Sequence, residues 1–307
     1  MILEKIYRSF RLQKLYRQLN PSLRSCPLCR QSNARLVASR DRNGLGLRTV
    51  ECAHCGLIFT NPFLNEEDLN RFYGEMYRDG TKGQGDPSQF LSYRPWMADR
   101  ARYFLDRFGQ HIGQEHLDFG CGEGSFVASL HEQRPEVKIH LVEPDPNYRA
   151  FAAGLCAGRE WDSLAAIDDQ NVMVDSISMI HVLEHVIDPV AVLTELRSIL
   201  KLDGRLLIDV PDVARYSGLS DLHISHCTHF GVETLTMTLQ AAGFEVVSIK
   251  QHEPPHLPKS LCVEAVAGGV VDNIHQVSER ERLIARAGIK RANQTLLEYT
   301  LQRLMGR

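Results

Sequence analysis

The sequence predicts an α/β fold, a mostly parallel sheet with helices on both faces, preceded by a small cysteine-held module. Three observations carry this. From His116 onward, short apolar runs alternate with amphipathic stretches, the pattern of strands joined by crossover helices. The first run ends in Leu117-Asp-Phe-Gly-Cys-Gly-Glu-Gly-Ser-Phe126, a glycine-rich turn leading into a helical pattern. Upstream, Cys26-Pro-Leu-Cys29 and Cys52-Ala-His-Cys55 form two C-x-x-C pairs.

Bulk properties narrow the partners. A chain of 307 residues holds one full α/β domain, a small module and some helical extras. A net charge of −3 gives no general attraction to nucleic acid. The longest apolar runs, such as Arg205–Val210, are strand-length and far short of a transmembrane segment. The N-terminus lacks the apolar core of a signal peptide. Of eight cysteines, Cys121, Cys156, Cys227 and Cys262 are scattered and four form the pairs, a usage expected of a reducing cytoplasm with one metal site.

Residues 1–22 read as a helix: Leu3, Ile6, Tyr7, Phe10, Leu15 and Leu19 form an apolar stripe, and Lys5, Arg8, Arg11, Lys14 and Arg17 a basic side. Such a helix docks on the protein or lies on a membrane surface. Over 23–61 each C-x-x-C makes a tight knuckle, and Cys26, Cys29, Cys52 and Cys55 together supply four thiolates for tetrahedral zinc. Four sulfurs close the coordination sphere, so that ion is structural; a disulfide or redox pair is the alternative. Residues 62–110 read as a helical linker and lid, with a short helix toward Tyr73 and Tyr77, a loop from Gly80 to Gly85, and a helix from Trp96 to Phe108. Tyr73, Tyr77, Tyr93 and Arg94 are lid candidates, or simply pack the linker onto the core.

Residues 111–270 carry the alternation. Strands are expected at 117–119, 138–143, near 155–160, and at 175–181, 204–210, 245–251 and 261–267; helices are expected at 124–133, 146–153, 188–201 and 232–242. In such a sheet ligands sit outside the carboxyl ends of the strands, where both Asp118–Gly124 and Glu143 fall. Glu143, about twenty positions beyond the glycines, is placed to accept ribose hydroxyls. A nicotinamide fingerprint would space its glycines G-x-G-x-x-G, whereas here Gly120, Gly122 and Gly124 alternate, so no pyrophosphate has to be seated.

The Asp-x-Gly-x-Gly-x-Gly pattern of Asp118–Gly124 resembles the cofactor loop of class I S-adenosylmethionine-dependent methyltransferases. Asp175–Val186, Asp188-Pro189 and Lys201–Pro211 look like later motifs of that family, and the resemblance covers roughly residues 112–268. It implies a Rossmann-like class I methyltransferase sheet that binds S-adenosylmethionine. Gly120, Cys121, Gly122 and Gly124 would lie against the methionine part, with Asp118 organising the loop and the amino group. Glu143-Pro144 would hold the ribose, and Asp162 or Trp161 the adenine. His181, at the end of the fourth strand, would border the transferring methyl, with Glu184 and His185 fixing the loop behind it.

In this superfamily the loop His223-Ile-Ser-His226-Cys-Thr-His229 would line the acceptor side. Histidine suits a base that removes a hydroxyl proton, and His226 and His229 are the candidates. Structural hydrogen bonding is the alternative, as is a second metal site, for which no matching carboxylate cluster is evident in the sequence. The order of zinc module then methyltransferase domain resembles bacterial enzymes that methylate sugars. The nucleotide-sugar C-methyltransferases share that start but carry a large further domain, whereas only about forty residues follow the last strand here. Methylation of a hydroxyl oxygen on a saccharide or small metabolite is therefore expected. An RNA methyltransferase gripping substrate with its ribbon, and a non-catalytic scaffold, are the other readings. Residues 271–307 read as a helical segment (Leu283, Ile284, Ile289, Leu296, Leu297, Leu301) that packs on the domain or mediates a homodimer.

Overall fold

The computed structural model describes residues 12–14, 16–42, 45, 47–72, 86–88, 96–168, 172–218, 221–222, 224–256, 259–271 and 274–294. The lid candidates Tyr73, Tyr77, Tyr93 and Arg94, the Gly80–Gly85 loop, His223, most of the N-terminal helix and everything past Gln294 lie outside the described residues.

In chain order the elements are β1 (Ala34–Ala38), β2 (Thr49–Cys52), β3 (Ile58–Thr60), α1 (Glu66–Phe72), α2 (Trp96–Phe108), β4 (Glu115–Phe119), α3 (Ser125–Gln133), β5 (Lys138–Val142), α4 (Pro146–Cys156), β6 (Arg159–Trp161), α5 (Leu164–Asp168) and β7 (Val174–Ile180). A 3-10 turn at Leu183–His185 leads to α6 (Pro189–Ser198), then β8 (Leu200–Pro211), β9 (Thr228–His229), α7 (Val232–Ala241), β10 (Phe244–His252), β11 (Ser260–Ala267) and α8 (Glu279–Gln294). The expected strands and helices of residues 116–267 are all present, with ends shifted by a few residues. No described helix is long and apolar enough to cross a membrane.

The central sheet has the order β10-β11-β8-β7-β4-β5-β6. Its four pairings from β8 to β6 are parallel, and the β8–β11 and β11–β10 pairings are antiparallel. The chain starts at β4, winds outward through β5 and β6, and crosses back to β7. The strand order reverses between β4 and β7, and there the carboxyl ends open a crevice. Period-two side-chain alternation fills the sheet. Leu117 of β4 and Ile177 and Met179 of β7 point into the apolar core, while His116, Asp118, Ser176 and Ser178 occupy the opposite face and are also buried. On α3, Phe126, Val127 and Leu130 bury the stripe that the sequence marked. Asp145 and Asp188 cap α4 and α6, each followed by a proline in the first turn.

The second sheet has the order β1-β2-β3-β9. The cysteine module therefore does not end at Thr60: its fourth strand is Thr228–His229, supplied by the larger domain. Arg24 donates to the carbonyls of Thr60, Ile187 and Cys227, lashing the two parts together. α8 lies over the same junction, where Arg282 and Arg286 both reach the buried carboxylate of Glu51. Ala285, Ile289 and Ala292 of α8 are buried, and Leu283 and Ile284 face outward. Leu19 of the N-terminal stripe is buried in an apolar cluster with Leu45, Leu47, Phe63, Leu69 and Phe72, and the other stripe residues lie outside the described residues.

Candidate functional site

Between β4 and α3 the backbone takes positive φ at Gly120 (77°), Gly122 (56°) and Gly124 (79°). A Cβ at Gly120 would lie 2.6 Å from Val182 Cγ2, so this glycine lets the turn after β7 close on the loop. A Cβ at Gly122 would meet nothing within 4 Å, which leaves an open side for a ligand. The Gly122 N–H donates to Glu143 Oε2 at 3.0 Å, and the Asp145 N–H to Glu143 Oε1 at 3.1 Å. The glycine loop and the acid at the end of β5, distant in sequence, thus form one unit. A carboxylate has about four lone-pair sites, so Glu143 retains capacity for a diol. Pro144 beside it is exposed, and Arg149 donates to the Glu143 carbonyl at 2.7 Å.

Asp118, Glu123 and Glu143 are all buried around this loop. Burial pushes the Asp118 carboxyl up to about 7; Glu123 and Glu143 add repulsion, and the hydrogen bond from Ser178 works against the rise. Three carboxylates at one turn repel a pyrophosphate and suit a cationic ligand. Cys121 is buried, and that burial raises its thiol well above the usual range. At the far end, Glu143 N–H donates to the Trp161 carbonyl at 3.2 Å. The Trp161 indole N–H is buried with no hydrogen-bond partner among the described residues, whereas Asp162 is exposed and accepts from Ser163. Of the two adenine candidates, Trp161 has the donor to offer.

His181 follows β7 in the left-handed region, with φ 56°, an uncommon conformation for a residue with a side chain. Its Nε2 lies 3.0 Å from Asp209 Oδ2 and its Nδ1 3.3 Å from Glu184 Oε1. Burial and Arg100 act to lower its pKa, but the two carboxylates outweigh them and the net shift is upward. Both ring nitrogens are committed to acids, so His181 offers no lone pair to an acceptor. His229 pairs opposite Ile58 in the second sheet and is 2 % exposed. Burial pushes its pKa down to about 4, and Nδ1 meets the Tyr216 hydroxyl at 3.0 Å. Closed inside the junction, it is out of an acceptor's reach. His226 is partly exposed, its ring 5.0 Å from that of His185.

One polar cluster escaped sequence reasoning. Asp209 of β8 is fully buried and gathers Arg100 of α2 (3.2 Å), His181, His252 of β10 (2.5 Å) and Ser260 of β11 (3.3 Å). Burial raises the Asp209 carboxyl, but His181, His252 and Arg100 outweigh it and hold it down at about 2. The available signal was an acid inside the apolar run Leu206-Leu-Ile-Asp-Val210. Its partners come from α2, the end of β7, β10 and β11.

The four cysteine sulfurs lie within 4.8 Å of one another, with Cys26–Cys55 at 3.6 Å and Cys29–Cys52 at 3.4 Å. Tetrahedral zinc with bonds of about 2.3 Å spaces its sulfurs by about 3.8 Å, so the donor set fits. The knuckles are built alike. Arg30 N–H donates to the Cys26 carbonyl and Gly56 N–H to that of Cys52, and both donor residues have positive φ. His54 is exposed, and its carbonyl accepts from Arg282, so its side chain is outside the donor set.

A family described as a methyltransferase domain matches residues 92–249. No curated protein matches the chain. Among solved structures, the fold is similar to that of the plantazolicin methyltransferase BpumL in complex with SAH, with TM-score 0.50 and 13% identity over 65% of this chain and 94% of that one. The N,N-8-amino-8-demethyl-D-riboflavin dimethyltransferase RosA from Streptomyces davawensis aligns with TM-score 0.49 and 20% identity over 64% of this chain and 61% of that one.

Proposed function

The chain belongs to the methyltransferase-domain family, and on that premise we propose that it methylates a hydroxyl oxygen of a saccharide or other small-metabolite acceptor with S-adenosylmethionine. The observation that carries the reading is the glycine loop bound to Glu143 and ringed by Asp118 and Glu123. Bound there, S-adenosylmethionine supplies an electrophilic methyl on a cationic sulfur. Gly120, Cys121, Gly122 and Gly124 form the cradle, Asp118 organises the loop beside the amino group, and Glu143 takes the ribose hydroxyls. Trp161 bounds the adenine end. His226 takes the hydroxyl proton, while His181 holds Glu184 and Asp209 in place. The remaining work is alignment, bringing the acceptor oxygen in line with the methyl. Zinc on Cys26, Cys29, Cys52 and Cys55 is structural in this reading and braces the strand that follows His226. A near-neutral chain favours a small acceptor over RNA, which demands phosphate-neutralising Lys and Arg.

Calorimetric titration with S-adenosylmethionine tests the core. Saturable binding is expected, weakened at least tenfold in Glu143→Ala with the circular dichroism spectrum unchanged. No saturable binding by the wild type sinks the whole reading. Methyl-labelled cofactor offered with nucleotide sugars and with structured RNAs then tests the acceptor class, and label in RNA alone overturns the small-molecule assignment.

A further inference from the structure

The turn after β7 and the loop before β9 bring three metal-ligating side chains together, Glu184, His185 and His226, each with a ligand atom within 4.8 Å of the others. We propose that they form a second metal site, distinct from the cysteine centre, that holds a divalent first-row transition ion at the acceptor side. Two imidazoles and one carboxylate are a donor set for such ions, and three protein ligands leave positions open to an exogenous oxygen.

The geometry prepares these groups for a cation. His185 Nδ1 lies 2.9 Å from the Ser225 carbonyl, which can only accept, so Nδ1 carries a proton. Nε2 is then the ligand nitrogen, the second-shell arrangement that orients metal-bound histidines. That Nε2 lies 3.8 Å from Glu184 Oε1. One ion bound at about 2.1 Å to each of these atoms spans that separation. Glu184 is 1 % exposed, and neither carboxylate oxygen makes a hydrogen bond of normal geometry among the described residues. His181 Nδ1 stands 3.3 Å from Oε1 and leaves Oε2 available. A buried carboxylate is costly unless it is paired or bound to metal.

The ligands come from two segments that are fastened to each other. Cys227 N–H donates to the Glu184 carbonyl at 2.7 Å, and Cys227 Sγ lies 3.0 Å from the His185 carbonyl. The site also stands next to the cofactor loop, since Val182, two residues before Glu184, is the side chain that a Cβ at Gly120 would strike. A hydroxyl in an open position of the ion becomes more acidic and passes its proton to water. This deepens the proposed methyl transfer and rests on it: His226 then acts as a ligand in place of a free base.

The test uses the full chain with its cysteine centre filled by zinc, which holds such sites more tightly than cobalt does. Cobalt(II) is titrated in and followed by absorption and by metal analysis. One cobalt per chain is expected, with weak d–d bands and no thiolate charge-transfer band, and at least tenfold weaker binding in Glu184→Gln and in His226→Ala. No cobalt beyond the cysteine centre, cobalt showing only thiolate bands, or binding as tight as the wild type's in both variants overturns the site. Should Glu184→Gln fail to keep its zinc, His226→Ala, which alters a partly exposed side chain, decides. S-Adenosylmethionine affinity measured on the same samples separates the two ideas. Cofactor binding without a cobalt site removes the metal and leaves His226 as base, whereas a cobalt site without cofactor binding overturns the methyltransferase reading instead.

Discussion

His226 and His229 stand three residues apart, yet burial divides their chemistry. His229 is sealed in the second sheet with Tyr216 on Nδ1, and its pKa of about 4 leaves it neutral at physiological pH. His226 is partly exposed beside His185 and Glu184. In the proposed function it serves the acceptor, as base or as metal ligand. His226→Ala should lower kcat by roughly a hundredfold or more, the size expected for losing proton-transfer assistance, with S-adenosylmethionine affinity unchanged. His229→Ala should lower the unfolding temperature and leave the turnover of still-folded enzyme within a few-fold of wild type. Steady-state kinetics beside thermal melts separate the two. Full turnover in His226→Ala would remove the residue from the mechanism. The spacing of the histidines drew attention to this loop, but sequence says nothing of which ring is buried, because that depends on pairing with β3, whose Ile58 lies 171 residues before His229.

At the scale of elements, β4 and β7 share a buried polar face. His116 lies 2.8 Å from Ser176 Oγ and 2.9 Å from Ser178 Oγ, and Ser178 donates to Asp118 at 2.6 Å. Because that hydroxyl proton goes to Asp118, its oxygen accepts from His116 Nε2–H, and Nδ1 accepts from Ser176. Burial, reinforced by His140, pushes His116 down to about 3 from 6.5, while Asp118 is pushed up to about 7 from 3.8. The signs oppose. Between pH 3 and 6.5 the unfolded chain binds the extra proton at His116, so stability rises with pH. Between pH 3.8 and 7 the folded chain binds the extra proton at Asp118, so stability falls with pH. Where the windows overlap the contributions offset. Asp118→Asn removes the falling one, and its stability should climb relative to wild type by roughly 1 to 3 kcal/mol from pH 4.5 to 6.5. Urea midpoints at the two pH values measure it; a variant that tracks the wild type refutes the pairing. The strands themselves were legible from hydrophobic alternation, and the glycine turn and Glu143 from their spacing. The Asp209 cluster was not, since its partners Arg100, His252 and Ser260 converge only through sheet order, which local pattern does not encode.

Across the whole molecule, the cysteine module and the larger domain are joined where the proposed acceptor loop ends. β9 begins two residues after His226 and pairs with β3, while Thr60 Oγ1 donates to the His226 carbonyl at 2.9 Å. Among the described residues the cofactor loop has no such tie; it is held by Val142, Glu143 and the turn at Val182. Disturbing the module should therefore reach the acceptor before the cofactor. Two perturbations test this from opposite ends. Cys29→Ser, which disables the cysteine centre without a chelator that would also strip an acceptor-side ion, should raise KM for the acceptor severalfold, with the Kd for S-adenosylmethionine changed less than twofold. Glu51→Gln leaves Arg282 and Arg286 facing a neutral amide at a buried position. Removing one partner of a buried ion pair costs on the order of 3 to 5 kcal/mol, tempered here because Arg286 is partly exposed to water. The variant should melt several degrees lower and, while folded, show the same selective rise in acceptor KM. If both treatments weaken cofactor and acceptor binding equally, the module stabilises the chain as a whole and does not act through the β3–β9 seam.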